Sequence, residues 1–189
     1  MRACILSVVE PRHMVMMSMY TSYFDDKKIA YDLIYMDRYH EAEKTTAQKV
    51  YRCEIDGSNS ISKLAGYIKF QNYARKILNK NKYDFVAVWN EYTAVLFGKY
   101  LIKNYGDKYS VNVRDLFDPD DKLRKPALLY PRLNDSIKGS LFTTVSSGKY
   151  LDYLCEFENY IFVHSINPNI MPSVDKCRRI SADNPIEIL

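Results

Sequence analysis

The chain has 189 residues, 47% of them hydrophobic and 26% charged, which suits one globular domain with a large core. A net charge of +4 and a pI near 8.7 are too mild to require a nucleic-acid partner, and no run reaches the roughly 20 apolar residues needed to span a bilayer. Cys4, Cys53, Cys155 and Cys177 form no Cys-x-x-Cys pair, which argues against a zinc knuckle or a redox motif and fits a reducing, cytoplasmic setting.

The first element is a continuous apolar strand, Ala3 to Val9, cut off by Glu10-Pro11-Arg12. Its apolar stretch is too short for a signal-peptide core. Met14, Met17, Tyr20 and Phe24 then recur at helical spacing, so a helix is expected over His13 to Phe24. Tyr31 to Met36 reads as a second strand and Lys49 to Ile55 as a weaker third, followed by a turn cluster at Asp56 to Ser60. Ser60 or Ser62 can cap a long helix running to about Lys82, with Leu64, Tyr67, Ile68, Ala74, Ile77 and Leu78 as its expected apolar face.

Phe85 to Trp89 is the next strand. Thr93 to Tyr105 follows as a helix with Leu96, Phe97, Tyr100 and Leu101 inward, and Gly106 ends it. Tyr109 to Phe117, Leu141 to Gly148 and Tyr160 to Ile166 are strand-like, with a helix at about Pro126 to Lys138 and a short one at Gly148 to Leu154. Strand and helix alternate throughout. That predicts an α/β fold, a doubly wound and mainly parallel sheet with helices on both faces. The expected domain is 1–166, and the Pro-containing stretch 167–189 reads as a linker-like tail.

In such a sheet the ligand sits beyond the carboxyl ends of the strands. Arg114-Asp115, Ser146-Ser147 and His164-Ser165 fall near that edge, as do Glu10, Arg12, His13, Asn90 and Glu91. His13 is expected to begin the first helix, where an anion would be favoured and Arg12 adds charge; a solvated loop histidine is the alternative. Asn90 and Glu91 could hold sugar hydroxyls beside Trp89 or Tyr92, or Asn90 could simply cap the following helix. Ser146 and Ser147 lack a Gly-x-Ser-x-Gly elbow and are read as caps or ligand hydroxyls, and Arg114-Asp115 as an ion pair fixing a strand end or as ligand contacts.

The six glycines form no dinucleotide fingerprint, and Ser147-Gly148-Lys149 is not a phosphate loop. Asp118-Pro-Asp120-Asp121 reads as a turn rather than a metal site, and His13, His40 and His164 lack metal-ligand spacing. The 17 tyrosines suit half-buried faces and sugar-like ligands, although compositional bias explains them as well. Lys63, Lys69, Lys76 and Lys80 lie outside the apolar face of the long helix; a solvated face is the plain reading, contact with anionic lipid the other.

Val113-Arg114-Asp115-Leu116, Leu141-Phe-Thr-Thr-Val-Ser-Ser-Gly148-Lys-Tyr-Leu151 and Ile161-Phe-Val-His164 together resemble the amino-terminal half of the retaining glycosyltransferases called glycosyl transferases group 1, which have the two-lobed GT-B fold. The resemblance implies one Rossmann-like lobe. It implies transfer of a sugar from a nucleotide-sugar donor to a saccharide or lipid-linked acceptor, with retention and no obligatory metal or other cofactor. It further implies that the donor binds mainly in a carboxyl-terminal lobe, so this chain would be the acceptor-side part of a longer enzyme, inactive alone, in the cytoplasm and with peripheral contact at the inner membrane face. Under it His13 and Glu91 would be catalytic, and Glu10, Arg12, Asn90, Arg114, Asp115, Ser146 and Ser147 would bind substrate. Two features depart from the family: a first turn, Glu10 to His13, that is not glycine-rich, and Asn90-Glu91 where many members carry a histidine. The competing expectation is a non-catalytic α/β binding domain of flavodoxin or receiver type.

Overall fold

The computed structural model describes residues 1–14, 16–41, 44–56, 60–117 and 126–163. The acidic stretch at 118–121, His164-Ser165 and the 167–189 tail lie outside the described residues. Seven strands form one sheet: β1 (Arg2–Ser7), β2 (Ala30–Asp37), β3 (Lys49–Glu54), β4 (Phe85–Trp89), β5 (Tyr109–Val113), β6 (Phe142–Val145) and β7 (Tyr160–Phe162). All pairings are parallel, in the order β3-β2-β1-β4-β5-β6-β7. The α/β, doubly wound reading of the sequence is therefore what the chain adopts. The order differs from the 2-1-3-4-5 arrangement of flavodoxin-like sheets.

β1 pairs with β2 on one side (Ser7 opposite Tyr35) and with β4 on the other (Ser7 opposite Trp89). The chain builds outward from β1 through β2 to β3, then crosses back to lay β4 against β1's free edge. The crevice at the carboxyl ends of β1 and β4 is thus the topological switch point. β1 beyond Arg2, and all of β4, are buried on both faces, which is why these runs are unbroken apolar sequence rather than alternating.

Three helices cover one face: α2 (Ser60–Asn81), α3 (Glu91–Tyr105) and α4 (Pro126–Lys138). α2 buries Gly66, Phe70, Ala74 and Leu78, a stripe at four-residue spacing. Any Cβ at position 66 would collide with Ile55 Cγ2, so the helix approaches the sheet closely only because Gly66 has none. Phe70 meets Phe97 of α3 edge-to-face, centroids 5.6 Å apart. This stripe corrects the sequence expectation: Leu64 and Ile68, assigned to the inward face, are exposed, and Phe70 lies at its centre. Weak amphipathicity caused the error, because α2 is apolar on part of its outer face too.

The opposite face carries α1 (Met17–Asp26), which packs Phe24 against Tyr31 beside Leu33 and Phe85. Pro11–His13 forms a separate short 3-10 turn before it. His13 therefore does not begin the first helix as expected; that helix starts at Met17, after the turn closed by Met14 N–H donating to Pro11 O at 2.9 Å. The anion-favouring helix terminus assigned to His13 is lost with it. Beyond α1 this face is lined by Phe85, Phe142, Thr144 and Ile161 around an apolar groove of about 410 Å³.

Candidate functional site

At the switch point a cleft of about 920 Å³ opens between the strand ends and the first turns of α2, α3 and α4. Its floor is Val8 and Val9 at the end of β1. Asn90, Glu91 and Tyr92 of the β4–α3 junction form one wall, with Asp115 after β5 beside them. Arg38 after β2, with Lys63, Leu64 and Tyr67 of α2, forms the other, and Leu129 of α4 closes the rim.

Asn90 is the structural hinge of the first wall. Its backbone has φ +68° and ψ 162°, a region that side-chain-bearing residues avoid at a cost of about 1–3 kcal/mol. The conformation is held by its side chain. Asn90 Oδ1 accepts from Thr93 N–H (2.9 Å) and from Thr93 Oγ1–H (3.0 Å), capping α3, while Thr93 Oγ1 accepts from Val8 N–H (3.0 Å). This relay ties the end of β1 to the end of β4 across the crevice. Of the two roles open for Asn90 in the sequence, the cap is what Oδ1 performs, and the amide NH2 is the group left for a ligand.

Glu91, the first residue of α3, is buried. Its Oε2 accepts only long bonds, 3.4 Å each, from Arg114 N–H and Asp115 N–H. Burial raises its pKa from 4.5 to about 7; the N–H donors of Glu91 itself, Asp115 and Arg114 oppose the rise, and the Asp115 carboxylate adds to it. A carboxyl in a cleft that both holds and releases its proton near neutrality is the profile of an acid–base or hydroxyl-binding group.

On the facing wall, Arg38 Nη2 donates to Tyr67 OH (2.9 Å), with the guanidinium 5.5 Å from the ring centroid. Arg38 N–H in turn donates to Glu10 Oε1 (2.7 Å). Buried Glu10 therefore joins the ends of β1 and β2 from behind the cleft. Tyr92 is half-buried and packs edge-to-face on Phe117 at 5.1 Å, leaving it as the aromatic surface of the first wall. Trp89, the other stacking candidate, is buried on the α1 face against Tyr20.

Of the remaining sequence candidates, Asp115 lines the cleft, whereas Arg12, His13, Arg114, Ser146 and Ser147 do not. Arg12 and His13 are exposed on the turn after β1; Arg12 pairs with Glu41 at 2.6 Å, and both stand against the Tyr39 ring. Arg114 and Asp115 act through their backbone, donating to Glu91 rather than forming the expected ion pair with each other. Ser146 Oγ–H and Tyr150 OH both donate to Arg114 O, at 3.2 and 2.8 Å, and so fix the loop that offers those amides. Ser147 Oγ accepts from Lys149 N–H and caps the 3-10 turn Gly148–Asp152. Arg38, Tyr67 and Lys63 are cleft residues that the sequence reading did not place there. Arg38 could have been found by the rule that found Asn90, since it follows directly on a buried strand.

Among the described residues no three His, Cys, Asp or Glu side chains are grouped to hold a metal ion. Compared with known proteins, the sequence matches no protein-family model and no curated protein.

Proposed function

We propose that this chain is the acceptor-binding lobe of a retaining glycosyltransferase, moving a sugar from a nucleotide-sugar donor to a saccharide-bearing acceptor. The observation that carries the reading is Glu91: a buried carboxyl, half-protonated near pH 7, in a cleft at the switch point of a doubly wound parallel sheet. Open α/β sheets bind ligands at that crevice. The volume falls within the range of pockets for sugar-sized molecules. A sugar presents hydroxyls that both donate and accept, together with apolar ring faces. Glu91 can accept from one hydroxyl as carboxylate or donate to another when protonated; the Asn90 amide can donate, Arg38 can donate, and Tyr92 and Tyr67 supply ring faces for stacking.

In this scheme Glu91 holds the attacking hydroxyl and shares its proton as the oxygen bonds to the anomeric carbon, so that substrate positioning supplies most of the acceleration. Arg12 and His13, exposed on the turn after β1, would meet the donor diphosphate brought by a second lobe, Arg12 exchanging Glu41 for phosphate, where positive charge stabilises the departing group. The donor binds mainly in that lobe, so isolated chain 1–189 should bind acceptor better than donor.

The test is titration of isotope-labelled chain with a panel of saccharides and nucleotide sugars, read by amide chemical shifts. The reading predicts saccharide-dependent shifts clustered at Glu91, Tyr92 and Asp115, and their loss in Glu91→Ala. Saccharides that shift nothing, or that shift only residues away from the cleft, would overturn it.

A further inference from the structure

The helical layer carries a second, smaller pocket of about 190 Å³. α2 supplies Gln71 and Arg75 to it, α3 Leu96 and Lys99, and α4 Arg132 and Asp135. The three helices are tied around it. Gln71 Nε2 donates to Leu96 O, and Tyr100 OH donates to Asn79 Oδ1 (2.7 Å), joining α2 to α3; Ser136 Oγ–H donates to Ala94 O (2.9 Å), joining α4 to α3. Three cations, one from each helix, therefore line one small space. Among the described residues Arg75, Lys99 and Arg132 have no ion-pair partner, and Asp135, the one acid of the pocket, pairs with none of them. Arg75 is the most constrained of the three. It is half-buried, its Cζ lies 5.4 Å from the Tyr100 ring centroid, and its Nε–H is shielded from water without an acceptor. A shielded donor on a cation is costly, and like charges held together repel; an anion in the pocket relieves both.

The pocket continues the cleft. Tyr67, Gln71 and Arg75 stand on successive turns of one face of α2, and Tyr92, Leu96 and Lys99 do the same on α3. The furrow between these two helices thus leads from the cleft of Glu91 to the three cations, with Arg75 about 12 Å along the helix axis from Tyr67. We propose that this pocket holds an anionic group, a carboxylate or a phosphate ester, carried by the acceptor saccharide a few sugar units away from the one held at Glu91. The anion site rests on the pocket alone; its assignment to the acceptor rests on the transferase reading.

The guanidinium forks of Arg75 and Arg132 match the paired oxygens of either group, and Lys99 adds a charge on a flexible stem. About 190 Å³ is less than a pocket that encloses a whole small ligand, so the space takes a substituent of a longer molecule. Glu91 and Asp115 at one end of the furrow and Asp135 at the other repel a phosphate repeated at every unit. That sets a nucleic acid aside in favour of a glycan with a charge spaced from its reacting end. The cations then select among acceptors: a neutral saccharide fills the cleft and leaves them uncompensated, whereas an acidic one engages both.

Amide chemical shifts of the isotope-labelled full chain test the pocket in two steps. Inorganic phosphate should shift Gln71, Leu96, Lys99 and Arg132 saturably, and the shifts should fade with added sodium chloride. Acidic trisaccharides, each compared with its uncharged methyl ester, should bind about tenfold or more tighter than the ester and shift the pocket and Glu91 together. Lys99→Gln with Arg132→Gln, and separately Arg75→Gln, should remove that preference while leaving the circular dichroism spectrum unchanged. Lys99 and Arg132 are exposed, so folding is not at stake in the first of these variants. Phosphate that shifts nothing in the pocket, acid and ester bound equally, a preference undiminished in the folded variants, or an oligonucleotide bound in preference to every acidic trisaccharide would each overturn the proposal. Phosphate bound in the pocket by a chain that takes no saccharide, acidic or neutral, would keep the anion site and remove the acceptor assignment.

Discussion

Replacing Glu91 with Gln should make the protein more stable at alkaline pH, by an amount the structure sets. The folded state holds the Glu91 proton up to about pH 7, whereas the unfolded chain releases it near 4.5. Below the lower value both states are protonated and the side chain costs nothing. Between the two the unfolded state has released a proton the folded state retains, so stability falls as pH rises; above the upper value the loss is complete. That displacement corresponds to about 3 kcal/mol. Gln is close in shape, carries no charge to desolvate, and keeps a carbonyl to accept from Arg114 and Asp115 N–H. Urea unfolding of both proteins from pH 5 to pH 8 is the assay. The wild-type midpoint should decline across that span relative to the variant, and at pH 8 the variant should be the more stable by about 2–4 kcal/mol. Curves that stay parallel across the range, or a variant less stable at pH 8, would show that the carboxyl is not held protonated and would remove the basis of its assigned role. Stability set aside at one residue is what a functional site leads one to expect.

Three further outcomes concern the frame that presents Glu91. Asn90→Ala should cost about 2–4 kcal/mol in urea unfolding, because Ala keeps the +68° φ and loses the cap, while Asn90→Gly should cost less than half as much by relieving the backbone. Equal losses for the two would mean that the cap alone matters. Thr93→Ala leaves the buried Val8 N–H without its acceptor and should cost about 1–3 kcal/mol, with Thr93→Ser restoring most of it; a silent Thr93→Ala would deny the relay between β1 and β4. Gly98→Ala on α3 would drive a methyl into Ser136 of α4, so it should destabilise by about 1–3 kcal/mol despite the better helix propensity, and Ser136→Ala in the same chain should recover part of the loss in a double-mutant cycle.

Hydrophobic patterning was enough to place the strands along the chain. Parallel strands buried on both faces are rich in apolar residues, so Ala3 to Leu6 and Phe85 to Trp89 stand out as unbroken runs and Tyr109 to Val113 as a β-branched one interrupted by Ser110 and Asn112, and the residues just past them are the ones that can meet a ligand. That is why Asn90 and Glu91 were legible. Helix orientation was less so. α2 carries aliphatic residues on its inner and outer faces alike, and only the sheet it packs on selects Phe70 over Leu64 and Ile68. The pairing of strand ends was not legible at all. That Arg38, Asn90 and Asp115 share one crevice follows from β4 crossing back to β1, a long-range choice with no local signature. The proton affinity of Glu91 belongs wholly to the tertiary structure. A carboxyl in sequence has its ordinary acidity; burial first, and the Asp115 carboxylate to a lesser degree, move it toward neutrality against the opposing N–H donors of Glu91, Asp115 and Arg114.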